Sequence, residues 1–596
     1  MHVADKNIFE ETRKMKKYLA LFLSMALLLC AFTGAAVAAE NEQFDIVIIG
    51  AGGAGLAAAV EASEQGASNI VVLEKMAFPG GSTTMAFGGF NCTNSRFMDE
   101  QGKEETPIML VDRIIKNGAG LNDPDMASIV AMGTPDLIAW LEGFGSEWGL
   151  IRYSDLHCPT DGTIPGVELV RVLDEQAQKY GVEIRYNAPA TEILADDTGR
   201  VCGVKVQDAQ GEYVIDTSAV ILATGGYENN PEMIAQDNPS LANIHLAPSK
   251  GNMGDGIVMA TKLGAQLCNM DLIQLSCAVA PFSIQMQMPI KNNGVIFVNK
   301  EGKRFTNEYS SASSDRRITD AILAQTDAEC YCIYNDAIYQ EFMAIEEKDF
   351  FDEYRMTGID NSGLVVKADT IEELAEQIGL DKAALTETIA NLKTDEIGNE
   401  VVVEKADTYA NGPFYAVLVT PGVMDTLGGL KADSTARVLN TENKPIKGLY
   451  AAGEVIGNTQ GAYYSVGLGE AAVFGRVAAR NAIWYVEDRG GLTEHVAFER
   501  TAEAAEAVKG NFTDGTYTGE GKGNNGIIKV EVTVKDGSIT EINVVENSET
   551  PNIYAGVESQ FIPSMIRTQN TDVDAITGAT NSCNGVRTAV KAALGC

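Results

Sequence analysis

FDIVIIGAGGAGLAAAVEASEQGASNIVVLEK, residues 44–75, reads as a buried strand, a glycine-rich turn, a helix of small residues and a second buried strand. This is a βαβ unit, in which the helix N-terminus aims its backbone amides past the end of the first strand. Gly50 permits the tight turn, Gly52 lets backbone approach a pyrophosphate, and Gly55 lets the helix pack on the strand, with Gly53 and Ala54 between them. Glu74 ends the second strand, where a carboxylate accepts hydrogen bonds from ribose hydroxyls. A lone Gly-x-Gly-x-x-Gly is weak, but strand, turn, helix, strand and acid in that order predict a dinucleotide site.

Working outward, a chain of 596 residues exceeds what one hydrophobic core can hold, so three or four domains are expected. A net charge of −37 excludes a nucleic-acid partner, because little here could neutralise phosphates in quantity. Arg13, Lys14, Lys16 and Lys17 precede an apolar run from Leu19 to Phe32, followed by small residues around Ala36-Val37-Ala38. That pattern predicts an export signal over residues 1–39, with Met15 as an alternative start; the run falls short of a bilayer span. Cys30 follows Leu27-Leu28-Leu29, a poor setting for a lipidated cysteine. The ten cysteines are scattered through apolar segments and read mostly as buried thiols. There is no Cys-x-x-Cys-His for haem and no Cys-x-x-Cys cluster for iron and sulfur, and no metal site is expected.

Three further segments carry a resemblance. PGGSTTMAFGG, residues 79–89, is similar to the second phosphate and flavin loop of the fumarate reductase flavoprotein family, placing Gly80, Gly81, Ser82, Thr83, Gly88 and Gly89 at the cofactor. AVILATGGY, residues 219–227, resembles its returning strand and turn, with Ala223, Thr224, Gly225 and Gly226. Residues 448–479 resemble its last FAD contact, with Gly453, Glu454 on the ribityl chain, and Gly467 and Gly469 opening a helix aimed at the flavin. The resemblance implies an α/β fold: a Rossmann-like FAD-binding domain in two parts (40–270 and 425–499), an inserted α+β capping domain (271–424), a linker (500–510), and a small α+β tail (511–596).

That tail has short alternating strands between glycine turns and then DAITGATNS, residues 574–582. It resembles the acceptor sequence of the FMN-binding domain family, which implies FMN joined by a phosphoester to Thr580 by an FMN transferase. The family implies noncovalent FAD in the main domain. Electrons would pass from a membrane or flavoprotein donor through FMN and FAD to a small unsaturated carbonyl substrate, at the extracytoplasmic face of the membrane or in the periplasm, in anaerobic respiration. In fumarate reductases a cap arginine supplies the proton; Arg316 stands nearest in YSSASSDRRITDAIL, and Arg317 next. Glu308 and Asn307 read as structural.

Departures from the family pattern argue against fumarate. Leu275-Ser276-Cys277 stands where a His-Pro is expected, and Met288-Pro289-Ile290-Lys291-Asn292 replaces a Glu-x-x-Arg-Gly. A histidine is missing from VMDTLGG (423–429), and Tyr464 takes an arginine's place. Each lost cation leaves a substrate carboxylate poorly paired, at a cost of roughly 2–5 kcal/mol in a dry site. Leu275, Met286, Met288, Tyr463 and Tyr464 would instead line a pocket for an aryl enoate or an enone. The tyrosines also resemble those of ketosteroid dehydrogenases, where tyrosine hydroxyls handle carbonyl and proton. The alternatives to a reductase are therefore a dehydrogenase of that kind, or an electron carrier whose FAD site has lost catalysis.

Overall fold

The computed structural model describes residues 41–86, 88–150, 156–242, 244, 249–279, 284–285, 294–308, 315–343, 364–393, 405–463, 465–496, 512–549, 554, 557–573, 575 and 579–595. The expected export signal and linker lie outside the described residues.

Strand β1 (Glu42–Ile49), helix α1 (Gly53–Glu64) and strand β2 (Ile70–Leu73) follow the order read from the sequence. β1 and β2 are parallel, with Ile46 to Ile49 opposite Ile70 to Leu73. All eight of these side chains are buried. A parallel sheet covered on both faces demands such continuous apolar runs. Strand β3 (Glu183–Arg185) pairs with β2 in parallel, and β4 (Gly211–Leu222) lies beside β1.

The chain then leaves for a second, antiparallel sheet. Its members are β5 (Ile273–Val279), β6 (Ile296–Val298), β7 (Cys330–Asn335), β8 (Val366–Ala368), the long β9 (Phe414–Thr426) and a two-residue strand, Ile284–Gln285, on the outer edge of β5. β9 is the spine, pairing with β7 on one edge and with β5 and β8 on the other. Helix α2 (Asp315–Leu323) buries Ile318 and Ile322 in this sheet's core. β9 carries the chain back, and β10 (Pro445–Ala451) rejoins the first sheet parallel to β4. Helix α3 (Gly467–Glu487) lies on α1, where Arg476 and Arg480 both donate to the buried Glu61 carboxylate at 2.6 and 2.7 Å.

The C-terminal part is a three-stranded antiparallel sheet, β11 (Gly515–Lys522), β12 (Ile527–Lys535) and β13 (Ser538–Glu546), covered by helix α4 (Thr580–Leu594). The alternating apolar residues Ile528, Val530, Val532 and Val534 of β12 form its core. The architecture is thus the mixed α/β fold expected, with the separate small α+β tail. Glycines in β11 let the helix rest directly on strand backbone: a Cβ at Gly521 would stand 2.0 Å from the Gly585 carbonyl oxygen. Gly521→Ala is therefore expected to destabilise this domain by about 1–3 kcal/mol, the usual cost of overpacking. Calorimetry should show one transition lowered and that of the main domain unmoved; a thermogram identical to wild type contradicts the contact.

Among the described residues eight cysteines are free thiols, six of them buried.

Candidate functional site

The first glycine turn and the 79–89 loop lie against each other. The Gly80 N–H donates to the Ala51 carbonyl at 2.8 Å, and the Gly53 N–H to Thr83 Oγ1 at 3.0 Å. A Cβ at Gly55 would stand 1.9 Å from the Gly50 carbonyl oxygen, and one at Gly50 2.2 Å from that of Ala223, so three segments meet with no room for side chains. Beside this tight packing is an open cradle. A Cβ at Gly52 would meet nothing nearer than 3.6 Å, and one at Gly81 or Gly88 nothing within 4 Å. Gly89 falls elsewhere: it packs on the carbonyl of His157 and the thiol of Cys158.

Glu74 stands at the strand end as expected, but its carboxylate is held by backbone, accepting from Ala51 N–H at 2.8 Å and Met76 N–H at 2.7 Å. Burial pushes this carboxyl up, against those bonds. Second lone pairs on both oxygens remain available for ribose hydroxyls. Gly453 brings the last segment in, its Cβ position 3.0 Å from the Ala54 Cβ. Gly226 abuts Glu454, whose Oε1 accepts from the Thr426 N–H at 2.9 Å and its hydroxyl at 3.1 Å. Gly467 and Gly469 open α3, and a Cβ at Gly469 would touch only Thr134 Cγ2 at 3.7 Å.

The folded chain adds groups that motif reading passed over. Ser82 Oγ donates to Glu228 Oε1 at 2.8 Å, and Asn252 Nδ2 donates to Ser82 Oγ, to Glu228 and, at 3.4 Å, to Glu454. Glu228 is wholly buried, and among the described residues its Oε2 has no hydrogen-bond partner; nor has the Thr224 hydroxyl. Glu470, in the first turn of α3, accepts from Gln460 and leaves its Oε1 unpaired. Burial first, then the charges of Glu454 and Asp425, push Glu228 well above the usual carboxylate range. Burial likewise raises Glu454, and takes Glu470 to about 7. The sequence signal was an acid directly after AVILATGGY and another directly after GLG, charged residues where apolar or small ones surround them.

The catalytic candidates are placed less fully. Arg316 and Arg317 lie in the first turn of α2, with side chains outside the described set, and Tyr464 also lies outside it, as do Met286 and Met288. Tyr463 is 42% exposed on the neighbouring turn, whereas Leu275 is 1% exposed and packs in the main core.

In the tail, Thr580 opens α4, the helix N-terminus where a phosphate is favoured; its side chain and Asp574 lie outside the described residues. Ser582 donates to the buried Glu549, which also accepts from the amides of Asn524 and Asn525 at 3.0 and 2.8 Å. The buried hydroxyls of Tyr554 and Ser564 have no partner among the described residues.

An open glycine cradle at a helix N-terminus, an acid at the second strand end and the Thr224 hydroxyl, buried without a partner among the described residues, fit a flavin dinucleotide, and a second helix N-terminus, that of α4, fits a flavin phosphate. The model of the FAD binding domain family matches residues 45–469, and that of the FMN-binding domain family residues 523–595. The chain belongs to the fumarate reductase type of flavoprotein built on this FAD-binding domain, with an FMN-binding domain appended. It is 32% identical over 465 residues to fumarate reductase (cytochrome) of Shewanella frigidimarina, covering 76% of this chain and 79% of that one. It is 33% identical over 469 residues to urocanate reductase of Eggerthella lenta, covering 74% and 75%. The solved open conformation of a flavocytochrome c3 fumarate reductase superposes with a TM-score of 0.67 at 29% identity, covering 77% and 81%. The chain is accordingly a flavin-dependent oxidoreductase.

Proposed function

We propose that this chain is an exported reductase that saturates the C=C bond of an α,β-unsaturated acid or ketone other than fumarate. The observation that carries this reading is Asp425, a carboxyl standing in VMDTLGG where the fumarate-type pattern has a histidine, with Glu454 and Glu470 within electrostatic reach. A dicarboxylate entering there would meet acids in place of a cation.

Gly52, Gly81 and the first turn of α1 would hold the pyrophosphate, Glu74 the ribose, Glu454 and Asn252 the ribityl hydroxyls, and the N-terminus of α3 the flavin's pyrimidine edge. Bound FAD supplies hydride chemistry toward the β-carbon, and bound FMN, tethered at Thr580, supplies entry for electrons from an outside donor. The domain built on the second sheet would close over the cleft and exclude water. Arg316 would deliver the proton to the α-carbon. Maturation would call on an FMN transferase, and the N-terminal signal would carry the protein beyond the cytoplasmic membrane, which N-terminal sequencing of the mature chain tests.

The experiment is an anaerobic screen of reduced viologen oxidation against enoates and enones of graded size. Turnover is expected with aryl or larger substrates and lost in Arg316→Ala but not Arg317→Ala; a preference for fumarate would sink the reading. In parallel, mass spectrometry should find FMN on the peptide containing Thr580, absent in Thr580→Ala.

A further inference from the structure

We propose that the Asp425 carboxyl is a hydrogen-bond donor that holds the carbonyl oxygen of the substrate's head, so that the site takes enones or enoates with at most one charge at that end. This rests on the reductase reading above and specifies its substrate class.

Asp425 is the penultimate residue of β9, at the point where the second sheet hands the chain back to the FAD-binding domain. Its partner in β5 is Gln274, while Leu275 pairs with Val423, so Met424 is an extra residue in the ladder. Such a bulge re-aims the side chains beside it. The next residue is fixed: Thr426 is bonded through its amide and hydroxyl to Glu454, and its hydroxyl also accepts from the Tyr227 N–H at 3.2 Å. Asp425 is therefore held close to Glu454 and Glu470.

Its Oδ2 is enclosed and has no hydrogen-bond partner among the described residues. Leaving such a group unmade costs about 1–3 kcal/mol, and native structures seldom do so without a ligand to complete it. Two further unpaired oxygens mark the same cleft, Oε2 of Glu228 at 0% and Oε1 of Glu470 at 3% residue exposure. Burial first, then the charges of Glu454 and Glu470, push the Asp425 carboxyl well above the usual carboxylate range, which favours its neutral form. A neutral carboxyl has an O–H to give. Its natural partner is the substrate oxygen on which negative charge develops as the β-carbon is reduced; the bond strengthens while the proton stays on Asp425.

The test uses holoenzyme and two analogues that cannot be reduced, 4-phenyl-2-butanone and 3-phenylpropionate, with binding read from the visible spectrum of the oxidised flavin. Asp425→Leu is expected to weaken both by about tenfold or more, and Asp425→Asn, which keeps an N–H donor, by about threefold or less. Flavin content reports folding, and Asp425→Ala repeats the test should leucine expel the flavin. Difference infrared spectra should show a protonated-carboxyl band that shifts on analogue binding and is missing from Asp425→Asn. Unchanged affinities in the leucine and alanine variants, or no band assignable to Asp425, would overturn the assignment. Binding that depends on Asp425 without turnover of any enone or enoate would support it and overturn the reductase reading instead.

Discussion

Glu308→Ala is expected to cost about 3–5 kcal/mol, the largest single loss in the second sheet. The segment NKEGKRFTNE (299–308) turns sharply, with Asn299 N–H donating to the Lys303 carbonyl at 2.9 Å and Val298 bridging to Arg304. It ends in a pair whose side chains are each 1% exposed: Arg304 Nη2 donates to Glu308 Oε2 at 2.5 Å and Nε to Oε1 at 3.2 Å. The Phe297 N–H also donates to Glu308 Oε1, at 2.8 Å, tying the pair to β6. Burial raises the Glu308 carboxyl, with the bonds from Arg304 opposing it, so the intact pair adds little net stability. Removing the carboxylate is another matter, because the guanidinium stays in a dry core without that counter-charge. Replacing both residues by leucine should therefore cost less than Glu308→Ala alone, a sign that urea midpoints can check. A double variant as damaged as the sum of the singles would show that the pair contributes stability outright. Since this turn leads toward α2, which bears Arg316, Glu308→Ala should also slow turnover.

How far such features can be read from sequence depends on how local their causes are. The βαβ unit of residues 44–75 was legible because strand period, glycine spacing and helix composition all act within one stretch. The tail was legible for the same reason, its alternating β12 standing between glycine turns. Gly89 was grouped with the cleft, yet it packs on His157, for the glycine pattern of a loop does not tell which of its turns faces the ligand. Leu275 was expected to line a pocket and is in the core, because β5 is covered on that face by the main domain. Glu228, Asp425 and Glu470 were passed over for a different reason. Each gains its character from groups outside its own motif: Ser82 lies 146 residues from Glu228, and Asp425 and Glu470 both feel the charge of Glu454, which stands in a segment between them. No window of sequence contains the burial and mutual charge that raise these carboxyls.

Glu470→Gln is expected to make the flavin-free protein more stable than wild type at pH 8 but not at pH 4.5. In the fold the Glu470 carboxyl titrates at about 7, raised first by burial, with Gln460 opposing and the charge of Glu454 adding to it. In the unfolded chain it titrates near the ordinary glutamate value, about 4.3. Below that value both states hold the proton and the residue is neutral in each. As pH rises past it, the unfolded chain ionises first, so the folded state loses relative stability until its own carboxyl ionises at about 7. The interval corresponds to about 3.7 kcal/mol, complete by about pH 8 and constant above it, of which about 3 kcal/mol develops between pH 4.5 and pH 8. Glutamine cannot ionise and can still accept from Gln460, whose own carbonyl oxygen holds the amides of Ser465 and Val466 at 2.9 and 3.3 Å. The turn carrying Tyr463 should therefore keep its shape, and the stability difference between variant and wild type should grow by about 3 kcal/mol from pH 4.5 to pH 8. Urea melts across that range measure it; a difference that stays flat would mean that Glu470 is ionised throughout, and that the cleft is wetter than its unpaired oxygens indicate.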